Sequence, residues 1–335
     1  MQNGCSRHLL PAARPRHGRE RGARETWSGG RSVIDDRILV SFGLDQSYAP
    51  HLGATIASMV AWTKAPLEFL VLHTGVTAAT QAKIEACAPR APFRWVGVDD
   101  SRLLSLRGRA HFENPAIFFR LALPIVAPVE ARRVVYLDSD VILAADIRRL
   151  FSADLDGLPI GAIYDAGVDA VPFAARWGLE REPGGYFNSG VLVIDLRHPE
   201  TAPLFAGALA FVEAQRGELG FPDQDALNYV FWKRWKKLDP AWNAQRNMVM
   251  PGMPNYVPEP FDLGARPAIV HFTTEHKPWL RDTYNPYAWL YWYYLSKTPF
   301  GRAVARENRI GAREKGRLLL RFLRRWPLLA SAAGA

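Results

Sequence analysis

Hydrophobic residues along the chain fall into short unbroken runs, which alternate with stretches where they recur every three or four positions. Unbroken runs of β-branched, aromatic and aliphatic residues predict strands buried on both faces, whereas the longer period predicts amphipathic helices. The runs predict strands at residues 37–42, 67–73, 93–98, 134–137, 160–164, 191–194 and 268–272. The periodic stretches predict helices at residues 48–62, 77–88, 114–123, 203–216 and 222–229. This alternation predicts an α/β fold with a Rossmann-like, mixed and mostly parallel sheet that carries helices on its faces.

The two ends of the chain differ in composition from its middle. Residues 1–35 are rich in Arg, Gly, Pro and Ser and poor in large apolar residues, which predicts a disordered basic leader. Residues 299–335 carry Arg and Lys throughout and apolar residues mainly towards the end, which is typical of a helix on an anionic membrane surface. A helix packed on the protein body, or a solvated basic tail, is the alternative. Residues 36–298 are therefore expected to form a single folded domain.

The net charge of +9 is concentrated at the two ends. Residues 1–31 hold seven Arg against two Glu, and residues 302–325 hold nine basic residues against two Glu, so the rest of the chain is slightly acidic. That distribution argues against a nucleic-acid-binding body. No apolar stretch reaches the roughly 18 residues that a membrane span needs. The two cysteines have no metal-ligand spacing, which favours a reducing compartment such as the cytoplasm.

The predicted strand at residues 134–137 runs directly into Asp138-Ser139-Asp140. Because residues i and i+2 of a strand point to the same side, the two carboxylates are expected to converge at the carboxyl end of the strand, where open α/β sheets bind ligands. Paired carboxylates repel each other unless a cation or a proton lies between them. Oxygen ligands of this kind suit Mg²⁺ or Mn²⁺ held with substrate phosphates. The alternative is an ordinary turn that ends the strand.

Several segments together resemble the family 8 glycosyltransferases, which are retaining enzymes of GT-A fold that include bacterial lipopolysaccharide galactosyl- and glucosyltransferases. The matching segments occur in the family's order and are VYLDSDV (135–141), YFNSGV (186–191), DQDALN (223–228), WN (242–243), HF (271–272) and KPW (277–279). The resemblance extends over roughly residues 37–290. It implies a single GT-A domain that uses a UDP-sugar.

The resemblance also implies roles for individual residues. Asp138, Asp140 and His271 match the protein ligands of a Mn²⁺ (or Mg²⁺) ion. The positions that match donor contacts are Lys277 at the diphosphate, Asp45 and Ser47 at the uracil, and Arg120, Asn188, Asp223 and Gln224 around the donor sugar. Asp165 matches a position near the acceptor or donor hydroxyls. Gln46 and Ser47 depart from the family's usual acidic residue and Asn, which leaves the recognition of the base open.

The expected reaction transfers galactose or glucose from UDP-galactose or UDP-glucose to an oligosaccharide or a lipid-linked glycan, on the inner face of the cell membrane. A divalent cation and a lysine would stabilise the departing diphosphate. Retention in glycosidases usually needs a carboxylate nucleophile, but the matching residue beneath the sugar is the amide Gln224. We therefore expect front-face attack, with Asp223 or Asp165 as the alternative nucleophile or orienting base.

Two other functions compete with this hypothesis. A nucleotidyltransferase that makes sugar nucleotides would also use strand-end Asp ligands, but it usually has a basic Gly-rich loop after its first strand. Residues 43–47 contain no basic residue. A non-catalytic binder of membranes or nucleic acid would depend on the basic ends. Its binding would weaken with salt and would survive loss of Asp138 and Asp140.

Overall fold

A computed structural model describes residues 37–98, 115–215, 219–250, 256–257, 266–281 and 283–325 of the chain. The described strands are β1 (Ile38–Asp45), β2 (Leu67–Thr74), β3 (Phe93–Gly97), β4 (Arg133–Leu137), β5 (Val141–Leu143), β6 (Ile160–Tyr164), β7 (Phe187–Asp195), β8 (Trp235–Lys237) and β9 (Ile269–His271). Seven of them form one sheet in the order β3-β2-β1-β4-β7-β6-β8. The predicted leader, residues 1–35, lies outside the described residues.

The described helices are α1 (Ala49–Trp62), α2 (Ala78–Glu85), α3 (Leu123–Val126), α4 (Arg148–Phe151), α5 (Ala170–Arg176), α6 (Thr201–Gln215), α7 (Pro222–Val230), α8 (Arg246–Val249), α9 (Ala288–Leu295), α10 (Gly301–Glu307) and α11 (Ala312–Arg325). Two 3₁₀ helices, Pro115–Ala122 and Pro240–Asn243, complete the regular structure. The helix predicted at residues 114–123 is therefore mainly 3₁₀. Pro124, which follows the predicted helix, lies in the first turn of α3, where a missing N–H is tolerated.

The large sheet is mixed and mostly parallel, as predicted. Strands β3, β2, β1 and β4 run parallel to one another, and β8 runs parallel to β6. Strand β7 is antiparallel to both β4 and β6. All nine residues of β7 are buried except Asp195, which is half-buried. Because β7 runs against its neighbours, its amino-terminal end lies at the sheet edge where β1, β4 and β6 have their carboxyl ends.

Two strand boundaries differ from the prediction at this edge. Asp45, expected in the turn after the first strand, is the last residue of β1. The strand predicted at residues 191–194 begins earlier, at Phe187, and on the far side of a bulge Phe187 and Asn188 pair with Tyr164 and Ile163 of β6. Both differences arise because pairing with a neighbouring strand overrides the local turn preference of Asp, Asn, Ser and Gly.

A second, two-stranded sheet lies beside the large one. Strand β5 follows Asp140 directly and pairs antiparallel with β9, so that Val141 is opposite His271. All six residues of this pair are buried. The pairing brings a residue from late in the chain next to the carboxyl end of β4.

The described part of the basic tail forms α10 and α11. In α11, Leu318 and Phe322 are buried, and the Phe322 ring meets Tyr287 edge to face at 6.3 Å. Arg321 donates a hydrogen bond to the carbonyl of Thr283. One face of the helix therefore packs on the body. Among the described residues, no helix has the length and apolar character needed to cross a bilayer.

Candidate functional site

Asp138, Asp140 and His271 converge just past the carboxyl end of β4. Each offers a ligand atom, and these atoms all lie within 4.8 Å of one another. His271 Nε2 is 3.4 Å from Asp140 Oδ1 and 3.6 Å from Asp138 Oδ2. Asp140 and His271 are buried, and Asp138 is half-buried. Two carboxylates and an imidazole at this spacing offer three ligands to a divalent cation.

Neighbouring groups hold His271 in a defined tautomer. Asn243 donates its amide N–H to Asn188 Oδ1 at 2.9 Å, which leaves Asn243 Oδ1 facing His271 Nδ1 at 2.9 Å. A carbonyl oxygen only accepts, so Nδ1 carries the proton. In the neutral imidazole, the lone pair is then on Nε2, the atom that faces the two carboxylates. Metal-bound histidines are oriented by hydrogen bonds of this kind.

Gly190 leaves the space that a cation between these side chains would need. A Cβ built on Gly190 would lie 2.4 Å from His271 Cε1 and 2.5 Å from Asp138 Oδ2, so no side chain fits there. The donor set, the oriented imidazole and this glycine all fit a divalent cation held by Asp138, Asp140 and His271.

Lys277 lies against the same cluster. Its ammonium donates to Asp140 Oδ2 at 2.5 Å and to the carbonyl of Phe272 at 2.8 Å. Burial alone would raise the pKa of Asp140, but Lys277 and His271 outweigh it and hold that pKa well below its usual range. Burial alone would lower the pKa of Lys277, because it disfavours the charged ammonium. The negative charge of Asp140 opposes this effect, and the net shift of the Lys277 pKa is upward. Both groups are therefore charged at neutral pH.

Arg120 is buried beside the cluster and contacts two carboxylates, one inside the cluster and one outside it. It donates to Asp138 Oδ1 at 2.8 Å and lies 3.1 Å from Asp223 Oδ2. It also donates to the carbonyl and hydroxyl of Ser189, at 2.7 and 2.8 Å. Burial opposes the charge on Arg120, but Asp138 and Asp223 raise its pKa further above its ordinary value. These contacts fix the carboxylates of Asp138 and Asp223 relative to Ser189.

Asp165, Asn188 and Gln224 form a connected polar network next to the cluster. Asn188 Nδ2 and Gln224 Nε2 both donate to Asp165 Oδ2, at 3.0 and 3.1 Å. Gln224 Oε1 accepts from the backbone N–H of Ser189 and from Asn188 Nδ2. The network orients the Gln224 amide from both ends, and Asp165 reaches it from the end of β6.

Asp223, one residue before Gln224, points in a different direction. Its Oδ2 accepts from Ser189 Oγ at 3.0 Å and pairs with Arg120. Burial raises the pKa of Asp223, and Arg120 only partly offsets this effect. The carboxylate therefore lies beside Arg120 at the back of the cluster.

Asp45 and Ser47 are at the start of α1. Asp45 Oδ1 accepts from the Ser47 backbone N–H, the Ser47 hydroxyl and the Tyr48 N–H, at 2.9, 2.7 and 3.1 Å. This oxygen therefore orders the turn between β1 and α1. Gln46 connects α1 to α2 through Thr80 Oγ1 and the N–H of Thr77.

Two clefts meet at Asp138 and Asp140. The first, of about 310 Å³, is called here the apolar cleft and is lined by Gly43, Leu44, Tyr48, Ala116, Ile117, Arg120, Asp138, Ser139 and Asp140. The second, of about 450 Å³, is called the polar cleft. Asp138, Asp140, Asp165, Asn188, Phe221, Gln224, His271, Thr274, Glu275 and Lys277 are among its lining residues. Asp223 lines neither cleft.

The structure thus brings together Asp138, Asp140, His271, Lys277, Arg120, Asp165, Asn188, Asp223 and Gln224 from the predicted site. Asp45 and Ser47 lie one to three residues from Tyr48 in the wall of the apolar cleft. Sequence reasoning missed Gly190, Asn243 and Ser189 as site residues, although all three lie within matched segments. The matched segments were the signal, but the contacts of these three residues depend on the folded arrangement.

The model of glycosyl transferase family 8 matches residues 39–283. The chain belongs to glycosyltransferase family 8. A transferase of this family is what the resemblance of the short segments predicted, and that part of the prediction is confirmed.

Curated relatives of this family 8 glycosyltransferase share about a quarter of its residues. General stress protein A of Bacillus subtilis (strain 168) is 26% identical over 269 residues, which cover 76% of this chain and 91% of that protein. Lipopolysaccharide 1,2-glucosyltransferase of Escherichia coli (strain K12) is 26% identical over 194 residues. That match covers 57% of each chain.

Solved structures confirm the fold of this family 8 glycosyltransferase. Galactosyltransferase LgtC, in complex with donor and acceptor sugar analogs, matches with a TM-score of 0.67 at 23% identity, over 78% of this chain and 96% of that one. The WbbM bifunctional glycosyltransferase matches with a TM-score of 0.66 at 21% identity, over 83% and 53%. The predicted α/β fold is therefore GT-A-like.

Proposed function

We propose that this family 8 glycosyltransferase moves a hexose from a UDP-sugar to a glycan hydroxyl with retention of anomeric configuration. The observation that carries the proposal is the position of Asp138, Asp140 and His271 where the apolar and polar clefts meet. A sugar nucleotide has an aromatic base at one end, a sugar at the other and a diphosphate between them. A cation site between an apolar and a polar cleft matches that order.

The apolar cleft is proposed to take the nucleoside. Gly43 lines this cleft and lets the 3₁₀ helix Pro115–Ala122 lie close to β1, because a Cβ there would lie 3.1 Å from Phe119 Cβ and 3.2 Å from the carbonyl of Ala116. Tyr48 and Ile117 supply apolar surface for a base. Asp45 is three residues before Tyr48 and is the proposed polar contact for the uracil, with Ser47 fixing its orientation.

The diphosphate is proposed to lie over the cluster. Asp138, Asp140 and His271 would hold Mn²⁺ or Mg²⁺, which when bound supplies positive charge beside the leaving diphosphate. Lys277 has three ammonium protons, of which Asp140 and the Phe272 carbonyl accept two. Its third N–H is available to a phosphate oxygen in the polar cleft, where it would stabilise the developing negative charge.

The polar cleft is proposed to take the hexose and the acceptor hydroxyl. Asn188 and Gln224 present oriented amide groups, and Asp165 presents the carboxylate that accepts from both. Donors and acceptors held by one network can recognise sugar hydroxyls without reorganising. Arg120 and Asp223 are proposed to act behind them by fixing Asp138 and Ser189.

Front-face attack is the proposed mechanism. Gln224 is a weak nucleophile, because its side chain is an amide and its Oε1 already accepts hydrogen bonds from two N–H groups. Asp223 faces Arg120 and lines neither cleft, which disfavours it as a nucleophile. Asp165 is the remaining carboxylate of the three predicted catalytic residues. It is proposed to orient the acceptor hydroxyl, and a phosphate oxygen of the donor is proposed to take the proton of that hydroxyl.

The test is UDP release from a panel of UDP-sugars by the purified full chain, with Mn²⁺, with Mg²⁺ and with a chelator. UDP-galactose and UDP-glucose are the proposed donors, and the products' anomeric configuration is read by NMR. We expect metal-dependent release of UDP and an α-linked product from an α-linked donor. Release of diphosphate from a nucleoside triphosphate would instead identify a nucleotidyltransferase, and an inverted product or a trapped glycosyl–Asp165 adduct would exclude front-face attack.

An oligosaccharide or a lipid-linked glycan is proposed as the acceptor. The named activities of two relatives, lipopolysaccharide 1,2-glucosyltransferase and galactosyltransferase LgtC, support a glycan acceptor by analogy. A peripheral position on the cytoplasmic side of an anionic membrane is proposed with it. The outer face of α11 supports this, because Leu320 and Leu323 are exposed there among Arg residues.

A further inference from the structure

Helix α1 carries a polar stripe on a face that is otherwise apolar and buried. His51, Thr55 and Ser58 are four and three residues apart, which places them above one another on one side of the helix. All three are buried. Buried polar side chains need hydrogen-bond partners, so the partners of this stripe indicate what α1 holds in place.

Thr55 and Ser58 hold the segment that carries the two aspartates. Thr55 Oγ1 lies 2.7 Å from the carbonyl of Val141 and 3.0 Å from that of Ser139, the residue between the aspartates. Ser58 Oγ accepts from the N–H of Leu143 at 3.0 Å. This half of the stripe fixes the backbone of residues 139–143 to α1.

His51 holds a different segment, the one that carries Lys277. Its ring stacks on the indole of Trp279 with centroids 3.4 Å apart and an angle of 8° between the planes. Its Nδ1 is hydrogen-bonded to the Tyr291 hydroxyl at 2.7 Å, and Tyr48 meets both stacked rings edge to face. Tyr291 and Tyr48 therefore both hold the stack in place.

Trp279 is two residues from Lys277, and the residues between them are constrained. The carbonyl of Pro278 accepts from Trp292 Nε1 at 2.9 Å. The N–H of Leu280 donates to the carbonyl of Lys277 at 3.1 Å, which closes a turn around Trp279. A displacement of the Trp279 ring would therefore move the Lys277 backbone.

We propose that His51 is a positioning residue, which sets the distance between the Lys277 ammonium and Asp140 by stacking on Trp279. Through the same helix face, Thr55 and Ser58 set the position of the aspartates, so α1 aligns the two halves of the diphosphate site. The inference deepens the proposed function, since it rests on Lys277 and the aspartates acting together on a diphosphate.

The test is a double-mutant cycle read by the binding of inorganic diphosphate with Mg²⁺, measured by calorimetry on the full chain. We expect His51→Ala to weaken diphosphate binding by about tenfold, while His51→Phe, which keeps a flat ring for Trp279, stays within about threefold of the native chain. In a Lys277→Met background, His51→Ala should cause no further loss. With a UDP-sugar donor that supports turnover, His51→Ala should lower kcat more than it changes KM.

Thr63→Val is the matched control, because Thr63 is buried at the far end of α1 and its Oγ1 accepts from the N–H of Ile147. It should lower stability without changing diphosphate affinity. If His51→Ala lowered diphosphate affinity equally in the native and Lys277→Met backgrounds, the proposal would be overturned. Unchanged diphosphate affinity in a folded His51→Ala variant would also overturn it. If His51→Ala does not fold, His51→Gln removes the stacked ring and makes the same comparison. Diphosphate binding needs no turnover, so absence of transfer activity would count against the proposed function and leave this test intact.

Discussion

Gly190 lies where the metal-ligand side chains leave no space for a methyl group. Its neighbours at that point, His271 and Asp138, belong to different segments of the chain and are held by Asn243 and Arg120. A Cβ would therefore push apart two groups whose orientations are already determined by hydrogen bonds. The consequence falls on the metal-ligand side chains, because these are the groups nearest to the added Cβ.

Gly190→Ala is expected to weaken Mn²⁺ binding by about tenfold to a hundredfold, because the two ligands must separate to admit the methyl group. Calorimetric titration with Mn²⁺ measures the effect. Gly207→Ala is the matched control, because a Cβ there meets nothing closer than Val230 Cγ1 at 3.5 Å. Gly207 is inside α6, so this substitution should raise stability by about 0.5–1 kcal/mol and leave Mn²⁺ affinity unchanged. Equal Mn²⁺ affinity in both variants would contradict the cation site.

His51 predicts a dependence of stability on pH. Burial lowers its pKa from 6.5 to about 3, with Asp140 and Lys277 as the charged groups nearby and Tyr48 and Tyr291 as the titratable groups in contact. Between these two pKa values, the unfolded chain binds a proton that the folded chain does not. Stability from this group is therefore complete above pH 6.5 and is lost as the pH falls towards 3.

Protonation of His51 in the unfolded chain is expected to lower the free energy of unfolding by about 2 kcal/mol between pH 6.5 and pH 5. Urea unfolding of the native chain and of His51→Phe at both pH values measures this contribution, because the other titratable groups are the same in the two proteins. We expect the native chain to lose about 2 kcal/mol more than His51→Phe does. Parallel pH profiles for the two proteins would show that His51 titrates normally in the fold.

Some of the site was predictable from single residues, and some was not. The convergence of Asp138 and Asp140 follows from the two-residue period of a strand, although both lie just beyond β4. His271 and Lys277 were predicted only through the family resemblance, because a histidine in a short apolar strand has no local signal of metal binding. Asn243 orients His271 through one hydrogen bond between segments 28 residues apart, which no local pattern encodes.

At the scale of elements, the strands were predicted but some of their pairings were not. The run at residues 191–194 has the composition of any buried strand, and the direction of β7 depends on β4 and β6 on either side of it. The pairing of β5 with β9 joins residues that are 130 positions apart at Val141 and His271. Such contacts are determined by the whole chain and not by the propensity of either strand.

Helix α11 has two apolar faces with different expected roles. Leu318 and Phe322 face the body, whereas Leu320 and Leu323 are 60% and 43% exposed. Leu318→Ala and Phe322→Ala should each lower the free energy of unfolding by about 2–5 kcal/mol. The paired variant Leu320→Ser/Leu323→Ser should leave stability unchanged and weaken binding to vesicles of anionic phospholipid by at least about tenfold. Vesicle co-sedimentation measures this, and native-like binding by the paired variant would exclude α11 as the membrane contact.

At the scale of the whole molecule, the apolar cleft, the cation site and the polar cleft form one continuous surface. In the proposed binding mode, a nucleotide in the apolar cleft would place its phosphates at the cation site, so its binding should depend on the metal. The α/β class and this sheet edge were predictable from the alternation of strands and helices. The volume of each cleft was not, because it depends on how the 3₁₀ helix Pro115–Ala122 and residues 273–279 pack around the edge.

UDP with Mn²⁺ is expected to raise the melting temperature by about 5 °C at a UDP concentration of about 100 times Kd, because a ligand that binds only the folded state stabilises it. Differential scanning fluorimetry measures the shift. A chelator should remove most of it, and uridine, which lacks the diphosphate, should give little shift with or without metal. An equal shift with UDP in the presence of chelator would contradict a metal-dependent nucleotide site.

Asp138 and Asp140 line both clefts, so the two clefts share a wall only a few atoms thick. Two weak fragments, one shaped like a nucleobase and one like a carbohydrate, would therefore bind within a short covalent tether of each other. Joining them turns the second association into an intramolecular event, and affinity rises without any new contact. The shared wall thus makes this chain a suitable target for inhibitors built by fragment linking.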